Sequence, residues 1–361
     1  MKAKAAVMYK AHEPLSIEEI DIDKPTRREV LIRTAFAGVC HSDLHFIDGL
    51  YPIPCPCVLG HESAGVVEAV GEDVTYVKPG DHVITCLSTF CGECEYCLTG
   101  RMSLCLSPLT KRAPDGDQRL SLNGEVVTQF ANLSSYAEYI LTHEHSLVKV
   151  REDMPLDRAA LIGCGVMTGV GAVFHTAKVE PGSTVAVIGC GGIGLAAING
   201  AAIAGAGRII AVDMVGSKLN LAKEFGATDV VDGSEGGVVE AIRELTGGGV
   251  HYSFECVGLK DTAEQAFKML QRGGCATVIG MIPVGTKIEL HGPDFLGEKK
   301  IQGSAMGSNR FRIDMPRLTD FYLRGDLKLD TMISGRIKLE QINDAMDELK
   351  TGEIARNVIA F

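Results

Sequence analysis

Between Val185 and Ile279 short apolar runs alternate with amphipathic stretches in one repeating rhythm. Val185–Ile188, Arg208–Val212, Asp229–Val231, Tyr252–Cys256 and Ala276–Ile279 are β-branched or aromatic runs too short for helices, so the pattern predicts buried strands. Leu195–Ala204, Lys218–Phe225, Gly237–Leu245 and Thr262–Leu270 carry apolar residues at helical spacing. Strands alternating with helices predict βαβ units and a parallel sheet. The first 150 residues differ. Val30–Ala37, Ala64–Val70 and Asp81–Thr85 predict strands separated by turns such as Lys78-Pro79-Gly80-Asp81, and polarity predicts an irregular surface loop over Ser107–Thr128. After about Met306 the pattern is mixed and ends in a strand-like Asn357–Phe361. The predicted fold class is α/β, with a doubly wound parallel sheet beside a β-rich domain.

One stretch, Val185–Val215, has only Asn199, Arg208 and Asp213 as strongly polar residues, enough length to span a bilayer. Its seven glycines cut it into a strand, a turn, a helix and a strand instead. At 361 residues, 46% hydrophobic and 22% charged, the chain is globular and long enough for two domains. A net charge of −11 excludes wrapping nucleic acid or coating an anionic membrane. The opening MKAKAAVMYKAHEPL lacks the apolar core of a secretory leader, and a cytoplasmic location is expected.

The turn Gly189-Cys190-Gly191-Gly192-Ile193-Gly194 follows a predicted strand, opens a predicted helix and precedes Asp213 by nineteen residues. That context makes it a dinucleotide fingerprint. Gly189 serves the tight turn, Gly191 the approach of a pyrophosphate, and Gly194 close packing of helix on strand. The helix N-terminus favours the diphosphate. Asp213 accepts from ribose hydroxyls and repels a 2′-phosphate, which selects NAD. Met214 beside it offers no positive charge.

Twelve cysteines in a chain this long point to metal rather than to a disulfide scaffold. Cys91, Cys94, Cys97 and Cys105 are spaced to close a tetrahedron around a structural zinc; an iron–sulfur cluster is the weaker reading, since nothing else suggests electron transfer. Cys40, His61 and Cys164 form a second donor set, suited to zinc with an open fourth position, although sequence distance alone does not bring them together.

These motifs together resemble the zinc-dependent medium-chain alcohol dehydrogenase family: GVCHSD, Gly60-His61-Glu62 with Gly65, Gly71 and Val77, the four-cysteine lobe, GCGVMTG, GCGGIG with its aspartate, and the terminal ARNVIAF. The resemblance spans essentially the whole chain. It implies a GroES-like catalytic domain over 1–165, a Rossmann domain over 166–305 and a return segment over 306–361. It implies two zinc ions and NAD as cofactors, with Cys40, His61 and Cys164 as catalytic ligands. Glu62 matches the acid beside the metal, and Asp43 the carboxylate that orients His61. Zinc acidifies an alcohol whose carbon gives hydride to the nicotinamide, and Ser42 and His45 match the proton relay. His41 and Arg356 match the groups on the pyrophosphate, Thr168 the residue under the nicotinamide, and Lys218 the adenosine-ribose lysine. Tyr51, Leu87, Phe130, Ala131 and Met281 match the substrate channel. Their apolar character implies a primary alcohol or aldehyde with an apolar or aromatic body.

The connection from Cys105 to Phe130 resembles the long-loop branch, which includes thiol-adduct formaldehyde dehydrogenases. A thiol-adduct substrate needs a basic pocket for the thiol's carboxylates, and Lys111 and Arg112 are the candidates for it. A polyol substrate fits the apolar channel poorly, and a non-catalytic NAD-binding scaffold would not keep both zinc sets and the relay. The segment Gln302–Ser308 matches the family's two-fold contact and implies a homodimer, with a tetramer as the alternative.

Overall fold

The computed structural model describes all residues except 114–115 and 353–354. Six parallel strands, Thr184–Ile188, Arg208–Asp213, Asp229–Asp232, Val250–Glu255, Leu270–Val278 and Lys300–Gly303, form one sheet. Counted along the chain, they lie in the order 3-2-1-4-5-6, the doubly wound order whose direction reverses beside the first strand. Thr184–Ile188 shows why this sheet is covered on both faces. Val185 and Val187 enter one apolar cluster with Leu195 and Ala201, while Ala186 and Ile188 enter another with Ile210, Ile242 and Phe267. The period of two sends alternate side chains to opposite helical layers.

Two mainly antiparallel sheets make up the rest. The long strand Glu29–Gly38 is the hub, pairing with Ser63–Val70, Tyr139–His143 and the terminal strand Asn357–Ala360. The helix Phe311–Leu323 lies in the largest apolar cluster, where Phe311, Met315 and Leu318 join Ala160, Val170 and Ala197.

One helical run, Leu156–Ala177, has the length and composition to cross a membrane, yet 83% of its apolar window is buried inside the protein. It packs closely on Gly192–Ile203. A Cβ at Gly169 would stand 2.4 Å from the Ile193 carbonyl oxygen, so only glycine fits. Two π-helical turns, Ile162–Val166 and Ala172–Ala177, interrupt this run. The first carries Cys164.

Within the irregular surface loop expected over 107–128, residues 120–126 form a small hairpin. Leu120–Leu122 pairs with Glu125–Val126 and extends the sheet through Ser16–Ile22. Asn123 and Gly124 turn it with φ of +53° and +84°, the Asn-Gly signal of a two-residue hairpin. Arg119 anchors it, donating to Glu29 Oε1 at 2.7 Å and to the Thr110 carbonyl at 2.8 Å. Burial pushes the Glu29 carboxyl up, but hydrogen bonds from Arg112 and Arg119 outweigh it and hold it at about 2.

Behind the hub strand, His143 and His145 are buried. His145 donates from Nδ1 to the Phe90 carbonyl at 2.8 Å and accepts from Arg28 at 3.0 Å. Burial, with His145 and Arg28 beside it, pushes His143 down to about 4, and burial lowers His145 as well. A histidine depressed in the fold binds its proton more readily when unfolded, so its stabilisation is present above about pH 6.5 and is lost as pH falls toward 4. The His145 amide donates to His143 Nδ1 at 3.0 Å; His143→Asn keeps an acceptor there but does not titrate. Its Tm should fall less than that of the parent between pH 7 and pH 5. Equal losses would remove His143 from the acid response.

Candidate active site and metal centres

Cys40, His61 and Cys164 come from three distant chain segments, and their ligand atoms lie within 4.8 Å of one another in a buried pocket. Cys40 caps the short helix His41–Ile47, His61 precedes the strand Ser63–Val70, and Cys164 sits in the first π-turn. Small residues allow this convergence. A Cβ at Gly163 would approach the Thr85 carbonyl at 2.9 Å, and one at Gly38 would reach Glu62 Oε1 at 2.2 Å.

His61 donates from Nδ1 to Asp43 Oδ1 at 3.1 Å, which turns Nε2 to within 3.2 Å of Cys164 Sγ. A carboxylate behind an imidazole is the arrangement that presents Nε2 to a metal. Burial alone would lower the His61 pKa, but the Asp43 carboxylate and Cys40 hold it well above the usual range. Cys40 is held well below the ordinary thiol range by the Cys164 thiol and Arg356, while Cys164 is pushed up by its bond to Cys40 and by burial. Two sulfurs and one imidazole nitrogen, all buried, suit zinc with an open fourth position.

Glu62 is fully buried, and burial raises it to about 7 against the pull of Arg356. Its Oε2 accepts from the Gly165 amide at 3.3 Å, and Oε1 faces Arg356 at 3.6 Å without a hydrogen bond. Arg356 itself donates to the Val39 carbonyl at 3.0 Å. Its guanidinium presses on the glycine turn, since a Cβ at Gly192 would stand 2.7 Å from it. One arginine therefore touches both the acid beside the ligand set and the N-terminus of Gly192–Ile203.

The turn itself has the geometry of a phosphate cradle. Gly189 has φ of +91°, and a Cβ at Gly194 would collide with the Gly189 carbonyl at 1.7 Å. Gly191 faces open space. Asp213 accepts from the Cys190 amide at 2.7 Å and the Val215 amide at 3.0 Å, fixing its carboxylate beside the turn. Lys218 lies close enough to act electrostatically on Cys190 and on His41. Burial, with His45, Arg356 and Lys218, keeps the His41 imidazole below its usual range. Thr168 is buried in the long helix and donates to Met306 Sδ at 3.3 Å.

Ser42 and His45 share one face of the helix His41–Ile47 at i, i+3 spacing. His45 Nδ1 is buried with no partner, and burial lowers the ring's pKa. A buried ring nitrogen without a hydrogen-bond partner among the described residues is free to pair with a bound molecule. Tyr51 reaches over His45 and donates to the Ile282 carbonyl at 2.5 Å, joining the two halves beside Met281. Phe130 stacks edge-on to His61 with centroids 5.7 Å apart, and Ala131 follows it with φ of +53°. Phe46, not foreseen as a channel residue, packs between Tyr51 and Phe130 at 5.8 and 4.8 Å. Leu87 is half-buried and packs on the satellite cluster of Val83, Leu133 and Leu147.

Arg112 is engaged elsewhere. It is bound to Glu29 and Asp23 at 2.6 and 2.5 Å. Glu29 opens the ten-residue strand whose other end leads to Cys40, so Arg112 is tied to the end of the strand remote from the ligand set. Lys111 lines the same distant cavity, of about 470 Å³.

In the lobe, four sulfur–sulfur separations among Cys91, Cys94, Cys97 and Cys105 lie between 3.5 and 3.8 Å. A regular tetrahedron with Zn–S of about 2.3 Å has edges of about 3.8 Å, so the lobe fits zinc. The Glu93 and Cys94 amides hold the Cys91 thiol down to about 6.

Residues 26–152 match the alcohol dehydrogenase GroES-like domain family, and residues 192–323 match the zinc-binding dehydrogenase family. The chain is 41% identical to an alcohol dehydrogenase class-3 of Drosophila melanogaster, covering 99% of this chain and 97% of that protein. It is 40% identical to a probable S-(hydroxymethyl)glutathione dehydrogenase 1 of Schizosaccharomyces pombe, over 99% and 96% of the two chains. It superposes on benzyl alcohol dehydrogenase of Acinetobacter calcoaceticus with a TM-score of 0.94 at 34% identity, covering 100% and 99%.

The two donor sets predict different losses. Protein purified without added metal should carry two zinc ions per chain. Cys164→Ser should retain the lobe's ion and its Tm within a few degrees. Cys97→Ser should lose several degrees or more, because a closed site contributes folding energy. Metal analysis with thermal melts checks both, and a parent chain with one zinc or none would reject the pair.

Proposed function

The chain belongs to the zinc-dependent medium-chain alcohol dehydrogenase family, and from that premise we propose which substrate it takes and which side chains carry the reaction. It is an oxidoreductase that interconverts alcohols and aldehydes, with zinc and NAD as cofactors. When bound, the zinc supplies a Lewis acid that acidifies the alcohol, and NAD supplies the hydride acceptor.

The chain's own groups would do the rest. Cys40, His61 and Cys164 would hold the catalytic zinc, with Asp43 keeping Nε2 of His61 turned inward. Ser42 would take the proton from the alcohol oxygen and pass its own to His45, whose unpartnered Nδ1 leaves it ready to relay. Arg356, His41 and the N-terminus of Gly192–Ile203 would meet the pyrophosphate, and Asp213 and Lys218 the adenosine ribose. Thr168 would support the nicotinamide. Glu62 would stand beside the metal, facing Arg356 at 3.6 Å.

For the substrate we propose a hydroxymethyl adduct of a small thiol. The supporting observation is full-length identity of 39–41% with relatives named S-(hydroxymethyl)glutathione dehydrogenase or class-3 alcohol dehydrogenase. A second reading, a free apolar or aromatic primary alcohol, is favoured by the wall of Phe46, Tyr51 and Phe130 and by the distance of Arg112. The enzyme would work in the cytoplasm, which suits its unpaired cysteines. It would dimerise through Gln302–Ser308, which begins in the strand Lys300–Gly303, an edge strand that pairs on one side only among the described residues. Light scattering at micromolar concentration checks this, and a monomer mass would refute it.

NADH formation separates the two substrates. With formaldehyde plus glutathione, kcat/KM should exceed that for benzyl alcohol by about tenfold or more. The reverse order would establish the second reading, and no NADH with either would sink both. NAD should be preferred over NADP, and Asp213→Ser should narrow the gap; equal kcat/KM for both cofactors in the parent would contradict the role of Asp213. His45→Gln should slow alcohol oxidation by about 10- to 100-fold, most at low pH, with partial rescue by small added bases. An unchanged pH–rate profile would take His45 out of the relay.

A further inference from the structure

Tyr136 lies outside every motif discussed above, yet its side chain ends against the catalytic ligand set. It is fully buried, in the apolar cluster of Val39, Leu44 and Leu59. A tyrosine hydroxyl in such a place needs a polar partner. It finds two. The hydroxyl donates to Asp43 Oδ2 at 2.7 Å and accepts from the Cys40 amide at 3.4 Å. Its ring and backbone also press on Gly60, where a Cβ would stand 2.7 Å away. The residue thus touches the neighbour of His61, the carboxylate behind His61 and the backbone of Cys40.

We propose that Tyr136 is a positioning residue for the catalytic metal, acting through Asp43. This rests on Cys40, His61 and Cys164 being the metal ligands. Asp43 is buried, and its two oxygens are served differently. Oδ1 accepts from the Gly60 amide at 3.1 Å and from His61 Nδ1 at 3.1 Å. Oδ2 accepts from Tyr136, and no second donor reaches it among the described residues. A buried carboxylate oxygen without a donor is costly. Removing the hydroxyl leaves Asp43 two choices. It can rotate toward water, which turns His61 with it, or it can draw harder on the His61 Nδ1 proton. Both change the nitrogen that faces the metal. Phenylalanine would fill the same space against Gly60 and supply nothing to Asp43, so ring packing alone does not account for the hydroxyl.

The test is Tyr136→Phe, read by metal rather than by turnover. Chelator competition should show one metal per chain bound 10- to 100-fold more weakly, the range for loss of such a supporting hydrogen bond. The metal of the four-cysteine lobe should be unaffected. With cobalt in the catalytic site, the visible bands should shift in position or intensity. Catalytic-site affinity within twofold of the parent, with a superimposable cobalt spectrum, would overturn the proposal. A parent chain that binds metal only in the lobe would instead overturn the ligand assignment on which it rests. If Tyr136→Phe does not fold, 3-fluorotyrosine placed at 136 keeps ring and hydroxyl while strengthening the donor. Its cobalt bands should also shift, and unchanged bands would again refute the role of the hydroxyl.

Discussion

The structure depends on holding two sulfurs and one imidazole nitrogen together where water is scarce. Cys40, His61 and Cys164 are 21 and 103 residues apart along the chain, and each arrives on a different element. Bringing thiols toward the charged state in a buried pocket is unfavourable unless positive charge is near. Arg356, just before the terminal strand, supplies part of it: the Cys164 thiol and then Arg356 lower Cys40, and Arg356 opposes the effect of burial on Glu62. This explains why the end of the chain returns to pair with Glu29–Gly38. The pairing holds the Arg356 guanidinium beside Val39 and Glu62. It also explains the small residues around the site, since Gly38, Gly163 and Gly165 each sit where a methyl group would strike a carboxylate, a carbonyl or the guanidinium.

The two halves of the molecule are coupled at the same place. The parallel sheet opens its switch point beside Gly189–Gly194, and the guanidinium of Arg356 lies between that turn and Glu62. A dinucleotide at the helix N-terminus and a metal at the thiols would therefore share one basic group. Tyr51 closes a second link, from the helix-side channel to the Ile282 carbonyl of the nucleotide half.

Much of this was legible in the sequence. The βαβ rhythm, the glycine turn with Asp213 and the cysteine lobe are local patterns in which spacing determines geometry. What escaped depends on contacts between distant segments. Polarity hid the hairpin at 120–126, although Asn123-Gly124 was its signal. The helical run Leu156–Ala177 reads as uniformly apolar, and nothing in its pattern marks the π-turn that aims Cys164. Arg112 looked free because its partners, Glu29 and Asp23, lie more than eighty residues away. Tyr136 and Phe46 carry no local signal, because their roles come from what packs against them.

The most direct measurement is an anomalous-difference map at the zinc edge from crystals of the protein with NADH bound. Two peaks per chain are expected. One lies among Cys91, Cys94, Cys97 and Cys105, and the other is bounded by Cys40, His61 and Cys164, with the nicotinamide beside it and the pyrophosphate at Gly191–Gly192. A single peak in the lobe, or a second peak away from His61, would contradict it.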